Sequence, residues 1–397
     1  MSSTLSRRTF LGGITAAVGC LTGEAPLVAQ APGVVRQARP RIGLDEYDAA
    51  AKLAYNENPY GPSDAVMKAM NIAFKYDNRY GYPDGDLLQE LAKHHGVRTE
   101  NLLLGAGSSE ILQVAGRAFL GGGRKVVGVT PTFSEVYEYA SGVRSESIVL
   151  PLREDYGQDI PALIKTTRNN HPDVGFIYLC TPNNPTGVVV TKQEIKQLLD
   201  GIAEDVPVLI DEAYHHYVDT PVYATSIPYV LEGRPVIVAR TFSKIYGLAG
   251  MRLGYAIAPK VLIDRMRPHC TGSINALVKW AGVTALGDTA AAERVRTTTL
   301  QLRRKTTADL EGMGFKVLPS ETNFFMVHIR RQVQPVIDEF RTRGVLVGRP
   351  FPPMLEHLRV SVGTADEMAR FLTAFREIVG RKTAALGGPR KSLVANR

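Results

Sequence analysis

The sequence predicts an α/β protein in which a large domain has a mostly parallel sheet between helices and a smaller domain is α+β. Apolar runs at 175–179, 208–210 and 236–239 have the composition of buried strands, and each leads into a polar segment. Parallel sheets align the carboxyl ends of their strands along one edge, where ligands bind. At 397 residues, 44% of them hydrophobic, the chain can bury a large core shared by two subdomains.

Lys244 follows the third apolar run, among groups that bind phosphate. Thr241 and Ser243 precede it, and Arg252 comes eight positions after it. A lysine in such surroundings suits a Schiff base with an aldehyde cofactor, while the hydroxyls and the arginine hold a phosphate. Arginine fits this role because its planar guanidinium meets phosphate oxygens in pairs and keeps its charge at any working pH.

A glycine turn that opens a helix predicts the other half of the phosphate site. Gly107, Ser108 and Ser109 follow an apolar run at 102–104, and apolar residues then recur at helical spacing as far as Phe119. The free N–H groups and the positive dipole end of such a helix attract an anion. We therefore expect these three residues to face Arg252 across a phosphate. An ordinary N-cap at the two serines is compatible with that role.

Asn184 follows the first apolar run and Asp211 ends the second. With these residues in place, the chain resembles the fold-type I pyridoxal phosphate (PLP)-dependent aminotransferases, most closely the histidinol-phosphate aminotransferase family. The resemblance extends from about Leu53 to about Val379 and depends on the motifs together, since each alone is weak. It implies the PLP-dependent transferase fold type I, PLP as cofactor, and an amino donor and a 2-oxo acid acceptor as substrates.

The resemblance implies catalytic roles for Lys244, Asp211 and Tyr214. Lys244 would hold the cofactor and shuttle a proton, and Asp211 would keep the pyridine nitrogen protonated by charge pairing. Tyr214 and Asn184 would hydrogen-bond the phenolic oxygen of the cofactor. Taken singly, the aspartate would be interpreted as a helix cap, the asparagine as a turn residue and the tyrosine as part of the core.

Two aromatic residues have further implied roles at the cofactor. Phe133 matches the position that stacks on the cofactor ring, although an aromatic beside a strand is more often part of the core. Tyr82 matches the tyrosine that reaches the phosphate of the neighbouring subunit, which implies a homodimer with two shared active sites. Tyr80 lies close enough in sequence to leave this register open.

The implied substrate-binding residues come from both ends of the chain. Arg359 matches the family's anion-binding arginine, with a structural salt bridge as the alternative. Asn323 matches a position near the site. Tyr55 and Asn58 belong to an arm, residues 55–61, that is expected to cover the site.

The N-terminus has the pattern of a twin-arginine (Tat) export signal. Arg7 and Arg8 precede a weakly apolar stretch, and Ala31 ends a possible cleavage site between small residues. We expect the Tat export machinery to carry the folded, cofactor-loaded protein to the periplasm. A lipoprotein anchored through Cys20 is the second interpretation, because the usual leading leucine is missing.

The net charge of +8 does not indicate a nucleic-acid partner, because five of the positive charges lie in the basic tail. Outside the leader the chain has only Cys180 and Cys270, too few for a disulfide framework. Neither His94-His95 nor His215-His216 has the context of metal ligands, so no metal site is predicted. These observations favour a protein that acts on small molecules.

The domain organisation follows from these segments. We expect a Tat signal at 1–31, a linker at 32–44, and the N-terminal arm with part of the small domain at 45–90. The large PLP-binding domain is expected at 91–275, a connecting helix and the small domain at 276–380, and a flexible basic tail at 381–397.

The leading hypothesis is an exported aminotransferase acting on histidinol phosphate-like or aromatic donors. One alternative keeps the cofactor but changes the reaction to that of a decarboxylase, a racemase or a lyase. A second alternative is a catalytically quiet PLP-binding protein, which would have no need of Lys244.

Overall fold

The computed structural model describes residues 43–270 and 273–380. The predicted leader, with Arg7, Arg8, Cys20 and Ala31, lies outside these ranges, as does the predicted basic tail. Among the described helices, none is both long and apolar enough to cross a membrane.

The described residues contain twelve strands in three sheets. In chain order they are β1 (Ala51–Leu53), β2 (Leu102–Gly105), β3 (Lys125–Thr130), β4 (Ser147–Pro151), β5 (Val174–Cys180), β6 (Val208–Asp211), β7 (Val236–Thr241), β8 (Gly254–Ile257), β9 (Lys316–Val317), β10 (Phe324–His328), β11 (Val345–Val347) and β12 (His357–Ser361).

Thirteen α-helices accompany these strands in the described ranges. They are α1 (Leu44–Ala49), α2 (Asp64–Ala73), α3 (Leu87–His95), α4 (Ser108–Phe119), α5 (Glu135–Gly142), α6 (Ile160–Asn170), α7 (Lys192–Gly201), α8 (Ile227–Leu231), α9 (Lys260–Met266), α10 (Ala276–Gly287), α11 (Thr289–Gly312), α12 (Val333–Thr342) and α13 (Ala365–Phe375).

The largest sheet has seven strands in the order β2-β8-β7-β6-β5-β3-β4. Strands β3 to β7 pair with one another in parallel, as the sequence predicts. Strand β8 is antiparallel to both β7 and β2. A parallel pairing of β7 with β8 would need a long crossover connection. The segment between them, which carries Lys244, has only a short 3-10 turn at Ala249–Met251 in place of a crossover helix, and β8 returns antiparallel.

Both faces of this sheet are covered by apolar side chains. Along β5, Phe176 and Tyr178 pack into one hydrophobic cluster, and Ile177 and Leu179 pack into the other. This alternation follows from the two-residue period of a strand. Because β5 is buried on both faces, its sequence is a continuous apolar run.

The two smaller sheets share a separate hydrophobic cluster. Strand β1 pairs in parallel with β11, and β10 pairs antiparallel with β12 and β9. Phe325, Phe340 and Phe371 lie at the centre of the cluster. This arrangement fixes Arg359, on β12, in a rigid element, opposite Met326 of β10.

Helices α2 and α3 follow a strand of the small sheets but pack on the core of the large sheet. Val66 of α2 and Leu87 of α3 belong to the hydrophobic cluster of the seven-stranded sheet, although they follow β1 in the chain. The predicted connecting helix is two helices, α10 and α11, because Asp288 leaves the helical conformation and caps α11 through the N–H of Ala291. The packing of Val66 and Leu87 ties α2 and α3 to the large sheet.

Candidate active site

Lys244 lies in the segment after β7, near the carboxyl edge of the parallel strands. Its side chain is half-buried, and Nζ donates a hydrogen bond of 3.3 Å to the carbonyl oxygen of Tyr55. Nζ also lies 5.5 Å from the ring centre of Tyr214. Burial lowers the pKa of Lys244 to about 8, and the positive charge of Arg359 acts in the same direction. The neutral form of this amine is therefore far more populated near neutral pH than that of an ordinary lysine.

Asp211 ends β6, where it lies beside Cys180 of β5 and Ala239 of β7. The residue is only 2% exposed, and its Oδ1 accepts a hydrogen bond of 3.1 Å from the N–H of Ala213. Burial raises the pKa of Asp211 to about 7, against the lowering effects of that hydrogen bond and of Lys244. A positively charged partner would stabilise this carboxylate strongly.

The predicted phosphate-binding residues come together at one end of the site. Thr241 donates a hydrogen bond of 2.9 Å to the hydroxyl of Ser243, and Nη1 of Arg252 donates to the same oxygen at 3.3 Å. Nη2 of Arg252 reaches the carbonyl oxygen of Ala106, next to Gly107, at 3.3 Å. Ser108 and Ser109 begin α4, and no side chain caps this helix. Hydroxyls, a guanidinium and a helix N-terminus thus converge here.

Two glycines make this close approach possible. Gly107 has a φ of +80°, and a Cβ atom there would overlap the guanidinium of Arg252. Gly254 of β8 packs so closely on the backbone of Gly107 and Ser108 that a Cβ atom at 254 would collide with them. Arg252 itself has a φ of 60°, which brings its side chain back over the loop.

Asn184 and Arg359 are buried together. Nη1 of Arg359 donates a hydrogen bond of 2.6 Å to Oδ1 of Asn184, and Nη2 donates one of 2.6 Å to the carbonyl oxygen of Ala54. Nε of Arg359 is buried and has no hydrogen-bond partner among the described residues. Burial lowers the pKa of Arg359 to about 10, so that it remains charged at neutral pH. An anionic ligand would satisfy this arginine.

The arm crosses the site and is held from several sides. Nδ2 of Asn58 donates a hydrogen bond of 2.9 Å to the carbonyl oxygen of Ile245, directly after Lys244. Nδ2 of Asn323 donates to the carbonyl oxygens of Asn56 and Glu57, at 3.0 and 3.3 Å. In the described chain Asn58 and Asn323 therefore fix the backbone of the arm, whereas Tyr55 presents its carbonyl to Lys244 and its ring to solvent.

Phe133 and Tyr82 lie in different surroundings. Phe133 packs partly buried against the large-sheet core, after Thr132, whose hydroxyl donates a hydrogen bond of 2.7 Å to Asn183. Tyr82 donates its hydroxyl to the carbonyl oxygen of Ile274 at 3.0 Å and stacks on Tyr76. Tyr80, by contrast, has a fully exposed side chain. In a single chain the contact of either tyrosine with a neighbouring subunit remains a prediction.

Sequence reasoning missed two residues that contact the predicted site. Asn56, in the arm, donates a hydrogen bond of 3.1 Å from Nδ2 to the hydroxyl of Tyr214. Ser361, at the end of β12, exchanges hydrogen bonds with Asn56. The available signals were the Asn-Glu-Asn sequence of the arm and the hydroxyl two residues after Arg359.

Buried polar side chains, also unforeseen, directly follow Asp211 and Tyr214 in the chain. Nη2 of Arg240 donates a hydrogen bond of 2.7 Å to Glu212, and both side chains are almost fully buried. Burial, reinforced by Arg240, lowers the pKa values of His215 and His216 well below the usual range, so both are neutral. Among the described residues, no group of three His, Cys, Asp or Glu side chains could hold a metal ion.

The residues at this site fit PLP. The guanidinium of Arg252 lies against Gly107, where there is no room for a Cβ atom, so the groups that suit a phosphate lie close together. Asp211 is a buried carboxylate that a protonated ring nitrogen would stabilise, and Lys244 is an amine with a lowered pKa. The ring of Tyr214 lies beside Nζ of Lys244. These residues therefore match the negative charge of the cofactor's phosphate and the positive charge of its protonated ring nitrogen.

Comparison with known proteins gives consistent matches over most of the chain. The family profile for aminotransferase class I and II matches residues 50–375. Histidinol-phosphate aminotransferase from Moorella thermoacetica is 37% identical over 353 residues, which cover 87% of this chain and 89% of that protein. The protein of that name from Brevibacillus brevis is 34% identical over 356 residues, covering 87% and 94%.

Solved structures share the fold. Histidinol-phosphate aminotransferase from Sinorhizobium meliloti, in complex with pyridoxal-5'-phosphate, gives a TM-score of 0.79 at 24% identity and covers 90% of this chain and 99% of that chain. Aspartate aminotransferase from Thermus thermophilus, with maleate, gives a TM-score of 0.72 at 20% identity, covering 83% and 91%. The predicted fold class is confirmed.

Proposed function

The chain belongs to the class I and II aminotransferase family, and on that premise we propose an exported enzyme that acts on histidinol phosphate-like or aromatic amino donors. The predicted activity and cofactor are confirmed, since members of this family are PLP-dependent aminotransferases. When bound, PLP takes the amino group from a donor and passes it to a 2-oxo acid. The donor, the compartment and the oligomeric state are parts of the proposal.

The chain's own residues supply the binding and the proton transfer. Lys244 has a pKa of about 8 because of burial, so its Nζ can accept a proton and return it near neutral pH. Asp211 provides the negative charge that holds a ring nitrogen protonated. Ser243, Arg252 and the N-terminus of α4 bind the phosphate and thereby fix the position of the ring relative to Nζ.

The proposal about the substrate depends on Arg359. Its guanidinium is buried and charged, and two of its nitrogens are bound while Nε has no partner within the described chain. Leaving a buried charged donor unpaired is costly, which supports a ligand with an anionic group at this position. Both the phosphate of a histidinol phosphate-like donor and the carboxylate of an aromatic amino acid would satisfy it.

Export is proposed from the leader, whose residues lie outside the described chain. The twin-arginine pattern at Arg7 and Arg8 suits a protein that folds and binds its cofactor before it crosses the membrane. We propose the periplasm as its place of work, by way of the Tat machinery. That location argues against a role in histidine biosynthesis, which draws on cytoplasmic intermediates.

A homodimer with shared active sites is proposed as the working state. Four large apolar side chains between residues 67 and 80 are exposed in the single chain: Met67, Ile72, Phe74 and Tyr80. A second copy that covered this surface would bury them and bring Tyr80 or Tyr82 near a neighbouring site.

The proposed function is tested by half-reactions with single donors. Purified PLP-loaded protein is mixed with histidinol phosphate, aromatic amino acids or aliphatic amino acids, and the loss of the cofactor's visible absorbance is followed. We expect conversion with an anionic donor that is aromatic or imidazole-bearing, and return of the absorbance on addition of 2-oxoglutarate or pyruvate. Release of carbon dioxide or a racemised amino acid, without amino transfer, would contradict the proposal. Lys244→Ala serves as the inactive control.

A further inference from the structure

Asn56, in the arm, contacts both the small antiparallel sheet and Tyr214. It is only 2% exposed, and its Nδ2 donates a hydrogen bond of 3.1 Å to the hydroxyl oxygen of Tyr214. This contact joins the arm to a predicted catalytic hydroxyl.

The orientation of the Asn56 amide is set by Ser361. The backbone N–H of Asn56 donates to Oγ of Ser361 at 2.8 Å, and the hydroxyl of Ser361 donates back to Oδ1 of Asn56 at 2.9 Å. Since Oδ1 faces Ser361, Nδ2 is left to face Tyr214. The two residues therefore form a closed pair in which each hydrogen bond has a defined direction.

The backbone of Asn56 supports this arrangement. It has a φ of 55°, a left-handed conformation that asparagine tolerates better than most residues. Its carbonyl oxygen accepts a hydrogen bond of 3.0 Å from Nδ2 of Asn323. Ser361 ends β12 and Asn323 immediately precedes β10, so the small antiparallel sheet holds Asn56 at two points.

This contact determines the direction in which Tyr214 can donate. An amide nitrogen only donates, so the hydroxyl oxygen of Tyr214 must accept the hydrogen bond from Asn56. Because a phenolic hydrogen prefers the plane of its ring, an acceptor contact on one side directs the hydrogen to the other. Burial raises the pKa of Tyr214 above its usual range, so the hydroxyl keeps this hydrogen at working pH.

We propose that Asn56 is a positioning residue that directs the hydroxyl hydrogen of Tyr214 towards the phenolic oxygen of bound PLP. Ser361 fixes the Asn56 amide for that purpose. The inference rests on the predicted role of Tyr214 as a cofactor-binding residue. Its consequence is that the small antiparallel sheet influences the protonation of the cofactor through an ordered chain of three side chains, from Ser361 to Asn56 to Tyr214.

The test measures the pH midpoint of the visible absorbance change of bound PLP, which reports stabilisation of its phenolate. Asn56→Gly removes the amide and suits the positive φ, and Asn56→Asp replaces the donor with an acceptor that would draw the Tyr214 hydrogen towards itself. We expect the midpoint to rise by about half a unit to one unit in Asn56→Gly, as for one lost hydrogen bond. The rise should be larger in Asn56→Asp and should also occur in Ser361→Ala.

The Tyr214→Phe variant tests whether Asn56 acts through the hydroxyl of Tyr214. In that background Asn56→Gly should cause no further rise, because the hydroxyl through which Asn56 acts is gone. Ser63→Ala, which loosens the same segment by removing the cap of α2, should leave the midpoint unchanged. Thermal denaturation of each cofactor-free variant separates a loss of folding from a change at the cofactor.

The measured midpoints separate the proposed role of Asn56 from the predicted role of Tyr214. If Tyr214→Phe raises the midpoint but Asn56→Gly, Asn56→Asp and Ser361→Ala do not, the inference is wrong and the role of Tyr214 stands. If Tyr214→Phe itself leaves the midpoint in place, both are wrong. Should Asn56→Gly fail to fold, an unchanged midpoint in Ser361→Ala would by itself overturn the proposal.

Discussion

Arg359 donates a hydrogen bond of 2.6 Å to Oδ1 of Asn184. The residue expected to bind the anionic group of the substrate is thus bonded to a residue expected to bind the cofactor. Because a guanidinium only donates, Asn184 turns Oδ1 towards it, which leaves Nδ2 for the predicted hydrogen bond to the phenolic oxygen of the cofactor. If the predicted role in substrate binding is right, Arg359 has two functions: it binds the substrate and it orients Asn184.

Arg359→Ala should raise KM for an anionic donor and lower kcat/KM by about a hundredfold or more, because a buried charged partner is lost. Arg359→Lys keeps a charge but loses the planar pair of donors, so it should recover only part of the loss. Steady-state kinetics with a donor and with its analogue lacking the anionic group measure the effect. Equal losses for the two donors would show that Arg359 does not contact the anion.

Lys244 should be the residue that carries the cofactor. Reduction of the loaded protein with borohydride, followed by peptide mapping, should place the label on Lys244, and Lys244→Ala should abolish turnover. Lys260→Ala removes an exposed lysine paired with Asp264 and should retain full activity. A label on any other lysine would refute the assignment.

Asp211→Asn should bind PLP more weakly and lose most of the catalysis, by several kcal/mol in the barrier, since a buried charge partner is lost. Activity, bound PLP and the spectrum are measured together. An Asp211→Asn variant with near-normal activity would mean that the aspartate has only a structural role.

Asp211 should also affect the stability of the cofactor-free chain. The unfolded chain loses this proton near pH 4, and the folded chain keeps it up to about pH 7 because of burial. Between these values the folded state binds more protons, so its stability falls as pH rises, by about 4 kcal/mol at most. Asp211→Asn should reduce the loss of Tm between pH 4.5 and 7.5, roughly that window. The exposed Asp338→Asn should not.

The sequence was sufficient for a mostly parallel sheet and for the polar residues that follow three of its strands, because both depend on local patterns. The antiparallel return of β8 was not predicted, because the pairing of β8 with both β7 and β2 depends on the tertiary fold. Asn56 and Ser361 could not be paired in advance, because 305 positions separate them and only the tertiary fold brings them together. The buried Arg240–Glu212 pair was missed because, in sequence, both residues resemble ordinary surface charges.

Gly107→Ala should weaken PLP binding while leaving the core intact. Its Cβ atom would displace the guanidinium of Arg252, and its φ of +80° is strained for alanine. Gly250→Ala, two residues before Arg252, meets nothing within 4 Å and serves as the matched control. PLP dissociation constants for both variants check this. If Gly107→Ala binds PLP with wild-type affinity, PLP binding does not require the present position of the Arg252 guanidinium.

The leader should determine where the enzyme works. Replacing Arg7 and Arg8 with lysine should leave active, PLP-loaded protein in the cytoplasm, because the twin-arginine pair is what the Tat machinery recognises and neither residue lies in the described chain. Enzyme activity and N-terminal processing are measured in separated cell fractions. If the doubly substituted protein is still exported and cleaved near Ala31, the leader is not a Tat signal. The argument from compartment against histidine biosynthesis would then fail as well.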